Sequence, residues 1–110
     1  MKANMIIALD QEIENLMGLY STDSQEKVLT KAIGLASLHP DSAKLLNIIA
    51  SATFKLGKNT NCLKHYDRAL KIQPDLAEAH NNIGFVAGFM GNFSNALNHF
   101  KKAIILNPIY

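Results

Sequence analysis

The chain has 110 residues, of which 48% are apolar and 18% charged; this makes one small domain with a modest core, too apolar to be disordered. Its longest apolar runs, MIIAL and AIIL, fall far short of the ~20 residues of a membrane span, and its start lacks the basic flank and cleavage site of a signal peptide, so a cytoplasmic protein is expected. The net charge of +2 excludes a nucleic-acid footprint, which needs a much more basic domain, and the lone Cys62 excludes an internal disulfide and, with the histidines scattered, a zinc site.

An internal period organises the chain. Pro40, Pro74 and Pro108 each lie 34 residues from the next, and a fixed spacing of this size marks a repeat array. On that spacing residues 43–76 align with 77–110 without a gap. Small residues coincide (Ala50 with Gly84, Gly57 with Gly91, Cys62 with Ala96, Ala69 with Ala103), and so do large ones (Ile49 with Ile83, Tyr66 with Phe100, Leu70 with Ile104).

Six helices are expected. The first covers 4–20 and the second 24–38, the latter opening with DSQE, a capping box from Asp23 to Glu26. This unit, 9–42, is degenerate: Leu16 stands in the slot of Gly84 and Ala32 in that of Phe100, as terminal repeats are commonly atypical. Residues 1–42 hold six acids against three lysines, whereas 43–76 hold six basic groups against two aspartates, most of it solvated helix surface. The third helix, 43–56, shows helical spacing at Leu46, Ile49, Ala50, Thr53 and Phe54, and the fourth, 60–72, at Leu63, Tyr66, Ala69, Leu70 and Ile72. The fifth covers 77–90 and the sixth 94–106. Gly57 and Gly91 are placed to end helices, with Asn, Ser and Thr after them to cap the next. Pro74 and Pro108 stop the second helix of each unit, and Asp41 and Asp75 suit the start of the following one. Gly84 and Gly88 lie inside the fifth helix at a cost of ~1 kcal/mol each; the expected reason is a close crossing of the two helices of a unit, marked by Gly84, Ala50, Ala96 and Ala103.

The pattern large–x–x–large–small, then small–x–x–x–aromatic, then proline resembles the tetratricopeptide repeat family. Its slots are filled by His80, Ile83, Gly84, Ala87, Ala96, Phe100, Ala103 and Pro108 in the last unit, and by Leu46, Ile49, Ala50, Gly57, Cys62, Tyr66, Ala69 and Pro74 in the middle one. His80 and Ala87 stand where the family prefers tryptophan and tyrosine. The resemblance implies an all-α fold, a right-handed α-α superhelix (solenoid) of three helix-turn-helix units, 9–42, 43–76 and 77–110, in one domain.

The resemblance also implies a concave face, lined by one stripe of the first helix of each unit, that binds a peptide or protein partner. On this chain the stripe holds Ile13, Met17, Tyr20 and Ser21, then Lys44, Asn47, Ser51, Phe54 and Lys55, then Glu78, Asn81, Asn82, Phe85 and Phe89. Asparagine amides both donate to and accept from a peptide backbone, and the aromatics add apolar contact. The carboxylate clamp of chaperone-binding members is mostly missing, because Ile13, Met17, Ile48, Glu78 and Asn82 occupy the comparable positions. Asn82 matches one rung of the asparagine ladder of the sugar-transferase members, but Ile48 and Glu14 occupy the other two.

No nucleophile–base arrangement, phosphate loop or metal spacing is present in the sequence, so a non-catalytic scaffold without a cofactor is expected. His65 and His99 recur one repeat apart and are expected on the surface, His80 at the core edge, and Cys62 as an inert packed thiol. Leu97, Phe100, Ile104 and Ile105 should leave apolar surface on the last helix, a candidate self-association face for a homodimer. The alternative to a free-standing scaffold is a docking module of a larger transferase, since AEAHNNIG and the weak first repeat look like the N-terminal arrays of bacterial sulfotransferases and sugar transferases.

Overall fold

The computed structural model describes residues 2–22 and 24–108, including their side chains other than those of residues 2–7, 21, 22, 59 and 60. Six helices follow in chain order: α1 (Lys2–Thr22), α2 (Gln25–Leu38), α3 (Ala43–Lys55), α4 (Asn59–Ile72), α5 (Ala77–Phe89) and α6 (Phe93–Leu106). No strand occurs among the described residues. Every helix packs on the next, and α3 also touches α1 and α5. The helices are therefore stacked in single file, giving an elongated body of 44 × 28 × 23 Å, an all-α helical repeat solenoid.

The helix ends follow local chemistry, with corrections to the expected caps. Gly57 and Gly91 adopt φ of 85° and 84°, a left-handed conformation that only glycine reaches without strain. Behind each, the chain folds back in a six-to-one bond, Lys58 N to Thr53 O at 3.1 Å and Asn92 N to Ala87 O at 2.8 Å, which satisfies carbonyls left open by the helix end. The caps themselves are Ser24, Ser42 and Asn92, whose side chains accept from Lys27 N, Leu45 N and Asn95 N. Asp23 of the expected capping box lies outside the described residues. Asp41 and Asp75 sit in the turns one residue too early, and Lys58 and Leu76 begin α4 and α5 without a side-chain cap.

Two apolar clusters hold the stack together, and α3 supplies both. Leu45, Ile48, Ile49 and Ala52 face Ile13, Leu16, Val28 and Ala32 of the first hairpin. Ala43, Leu46 and Ala50 face Cys62, Tyr66 and Ala69 of α4, with Leu76, Ala79, Ile83 and Val86 beyond. A helix with neighbours on all sides must be buried all round, and α3 is buried without a break from Leu45 to Thr53. The degenerate first hairpin keeps the volume of its slots by exchanging them: Leu16 is large where Gly84 is small, Ala32 is small where Phe100 is large, and both are buried.

Gly84 faces the Phe100 ring, not a small residue: a Cβ on Gly84 would lie 2.6 Å from Phe100 Cε1. At Gly88 a Cβ would lie 3.9 Å from Ala96 Cβ, an ordinary contact. The close approach expected of both glycines is thus real at Gly84 and absent at Gly88.

Candidate functional site

A groove of about 590 Å³ runs across the first helix of each hairpin. Its floor is α3, which lies between α1 and α5, and contributes Lys44, Asn47, Ile48 and Ser51. One wall is α1, with Asp10, Ile13, Glu14, Met17 and Tyr20. The other wall is α5, with Glu78, Asn81 and Asn82. These residues converge because positions three and four apart share one helix face, and parallel stacking of α1, α3 and α5 sets the three faces side by side.

The floor is organised by a chain of polar side chains. Asn82 Nδ2 donates to Asn47 Oδ1 at 3.1 Å and to Ser51 Oγ at 3.2 Å. Ser51 Oγ lies 2.8 Å from Tyr66 Oη, so the chain is anchored on a phenol buried in the core. Burial pushes the Tyr66 hydroxyl well above the usual tyrosine range, against the smaller opposite effect of the Ser51 bond; the group stays a neutral hydrogen-bonding hydroxyl. Both Nδ2 hydrogens of Asn82 are committed within the protein, leaving its Oδ1 to accept, while Asn47 keeps its Nδ2 to donate. The pair still presents one acceptor and one donor, as a backbone peptide group requires.

Of the expected stripe, Met17, Tyr20, Lys44, Asn47, Ser51, Glu78, Asn81 and Asn82 line the groove. Phe54, Lys55, Phe85 and Phe89 do not; they lie one or two turns further along α3 and α5 and make contacts with other side chains. Phe54 and Phe89 meet edge to face at 5.4 Å, Phe85 and Phe100 likewise at 5.5 Å, and Lys55 Nζ lies 4.2 Å above the Tyr20 ring. Phe85 and Phe89 nevertheless remain 62% and 72% exposed. The Ser21 side chain lies outside the described residues. Asp10, Glu14 and Ile48, which the stripe omitted, were accessible to the same spacing: Asp10 stands three residues before Ile13, Glu14 three before Met17 and Ile48 four after Lys44.

Two features outside the groove correct the sequence reading. His99 is not a plain surface residue: its Nδ1 lies 3.2 Å from His80 Nδ1, with the rings stacked at 5.4 Å. His80 is buried, and its Nε2 donates to Pro74 O at 2.9 Å. The two Nδ1 atoms share one proton, one ring donating and the other accepting. Burial lowers the His99 pKa, with His80 and Lys102 acting the same way and Asp67 opposing. His65 is half-buried and its pKa is lowered by burial and by Arg68. Cys62 is packed as expected, and burial raises its thiol pKa.

On α6, Leu97, Ile104 and Ile105 are exposed, Ile105 at 79%. Phe100 differs, being half-buried against Gly84 and Phe85. Among the described residues no group of three or more metal-binding side chains converges, and no helix is long and apolar enough to cross a membrane.

Solved structures share this fold. The chain superposes with a TM-score of 0.82 and 18% identity on a chain of the complex "Naa15/Naa10 bound to HypK-THB", covering 90% of itself and 15% of that chain. The second TPR of Spaghetti (RPAP3), bound to the HSP90 peptide SRMEEVD, gives 0.76 and 18% over 88% of this chain and 90% of that one. MamA MSR-1 gives 0.71 and 22% over 84% and 53%. The chain thus spans a small part of the first of these and about half of MamA. At such identities the likeness is one of fold. No curated protein sequence matches the chain. The tetratricopeptide repeat profile matches residues 41–105, more than half of the chain, and on that match, with the helical stack above, the chain belongs to the tetratricopeptide repeat family.

Proposed function

We propose that the chain is a non-catalytic, cytoplasmic interaction scaffold, built of three repeats, that holds a peptide segment of a protein partner in the groove over α3. The observation that carries this reading is the Asn82–Asn47–Ser51 chain anchored on Tyr66: it keeps a donor and an acceptor side by side on the floor of an open groove. A pre-ordered pair of this kind recognises main chain, whatever the side chains, at little entropic cost on binding. Peptide binding by the RPAP3 repeat domain, which shares the fold over nearly its whole length, supports the reading. The acidic SRMEEVD peptide itself is a poor candidate here, because three carboxylates and one lysine line this groove.

A pull-down with the wild-type chain and with Asn81→Ala plus Asn82→Ala tests the proposal. The wild type is expected to retain a protein that the variant loses, while circular dichroism checks that the variant, though less stable for want of the Asn82 bonds, keeps its helices. Retention of the same proteins by both would end it.

A second reading rests on the exposed Leu97, Ile104 and Ile105 of α6. Through this face the chain associates with a second copy, which would make the module part of an assembly.

A further inference from the structure

We infer that the groove selects a positively charged segment, one carrying lysine or arginine side chains on an extended or helical backbone. The inference rests on the groove reading above and adds the chemistry of the partner to it. Its basis is the charge of the lining compared with that of the whole molecule. The chain as a whole carries +2. The groove carries Asp10 and Glu14 on the α1 wall and Glu78 on the α5 wall, against Lys44 alone on the floor. The lining is therefore net negative by two on a net positive protein.

The placement of the charges matters as much as their sum. Asp10 and Glu14 are one helical turn apart and so lie on one face of α1. Glu78 stands across the groove on α5. Carboxylates on both walls, with the Asn82–Asn47 amide pair joining the α5 wall to the floor, suit a backbone lying on α3 with cationic side chains reaching to either side. Among the described residues, none of the three carboxylates is held in an ion pair. Ile13, Met17 and Ile48 beside them give apolar surface on which the long stem of a lysine or arginine packs. A concave site also concentrates the field of like charges at its mouth. An anionic segment would meet two unfavourable walls and one favourable lysine.

The test is selection of random phage-displayed peptides, about a dozen residues long, on the immobilised full chain, followed by titration of synthesised winners. Basic sequences are expected to dominate. Glu14→Gln plus Glu78→Gln should weaken them about tenfold, as two exposed charge pairs would, and raised salt should weaken them too. The glutamates are exposed, and circular dichroism checks that the variant keeps its helices. Winners that are neutral or acidic, yet lost on Asn81→Ala plus Asn82→Ala, would overturn the charge selection and leave the groove reading standing. No enriched peptide, or winners indifferent to both variants, would overturn the groove reading itself.

Discussion

Single side chains decide how closely the hairpins close. The slot filled by Gly84 is the clearest case, because the Phe100 ring occupies the space of its missing Cβ. The equivalent slot in the middle hairpin holds Ala50 against Tyr66, both buried, and the first hairpin holds Leu16 with Ala32 opposite. Three size pairings serve one purpose: the sum across the hairpin is kept while the partition differs. Gly84→Leu is expected to destabilise by about 1–3 kcal/mol through overpacking. Gly88→Ala should do the opposite, stabilising by about 0.5–1 kcal/mol, since it gains helix propensity and its methyl meets only Ala96 at contact distance. Thermal or urea unfolding of both variants checks the pair, and a loss of stability in Gly88→Ala of the size seen for Gly84→Leu would contradict this account of α5.

At the scale of elements, the joint between the second and third hairpins is partly polar. His80 on α5 links the turn before it, through Pro74, to α6, through His99. The bridge between the two Nδ1 atoms holds one proton, with the rings stacked. The folded His99 pKa lies below that of the unfolded chain, chiefly through burial, so the unfolded state binds the proton first as pH falls. Its contribution to stability is full above the unfolded value of about 6.5 and is lost as pH drops from there through the folded value. His65, lowered by burial and Arg68, acts in the same direction. The melting temperature is therefore expected to fall between pH 7.5 and pH 5, and His99→Gln should shrink that fall. A melting temperature independent of pH over this range would contradict the bonding described.

At the scale of the whole stack, the outer face of α6 is apolar and exposed among the described residues. Each interior helix is covered by the next, but Leu97, Ile104 and Ile105 face outward. Burying each of them fully is worth roughly 1.5–3 kcal/mol, which is the driving force for the proposed association with a second copy. Light scattering over a range of concentrations is expected to show a dimer mass that Ile104→Lys plus Ile105→Lys returns to a monomer. A monomer at high concentration in the wild type would refute the self-association reading and leave the groove proposal untouched.

The repeat period, the six helices and the glycine stops were legible in the sequence, because each is local; so were Leu46, Ile49, Ala50, Tyr66 and Ala69 of the core, whereas Val28, Leu45 and Ile48 were not and Ile72 is exposed. A proline or glycine acts on the backbone next to it, and a small residue at fixed spacing acts on the one helix beside it. Most of the groove stripe was legible for the same reason, from Met17 to Asn82. Where the reading failed, the missing knowledge was relative: which ring fills the space beside Gly84, which imidazole meets His80, and that Phe54 and Phe89 turn to each other outside the groove. The meeting of Asn82 with Asn47, and of the acids of α1 with Glu78 across α3, belongs to the same class. These depend on how steeply one hairpin is rotated on the next, and that angle is set by the summed packing of many side chains at once, not by any one stretch of the chain.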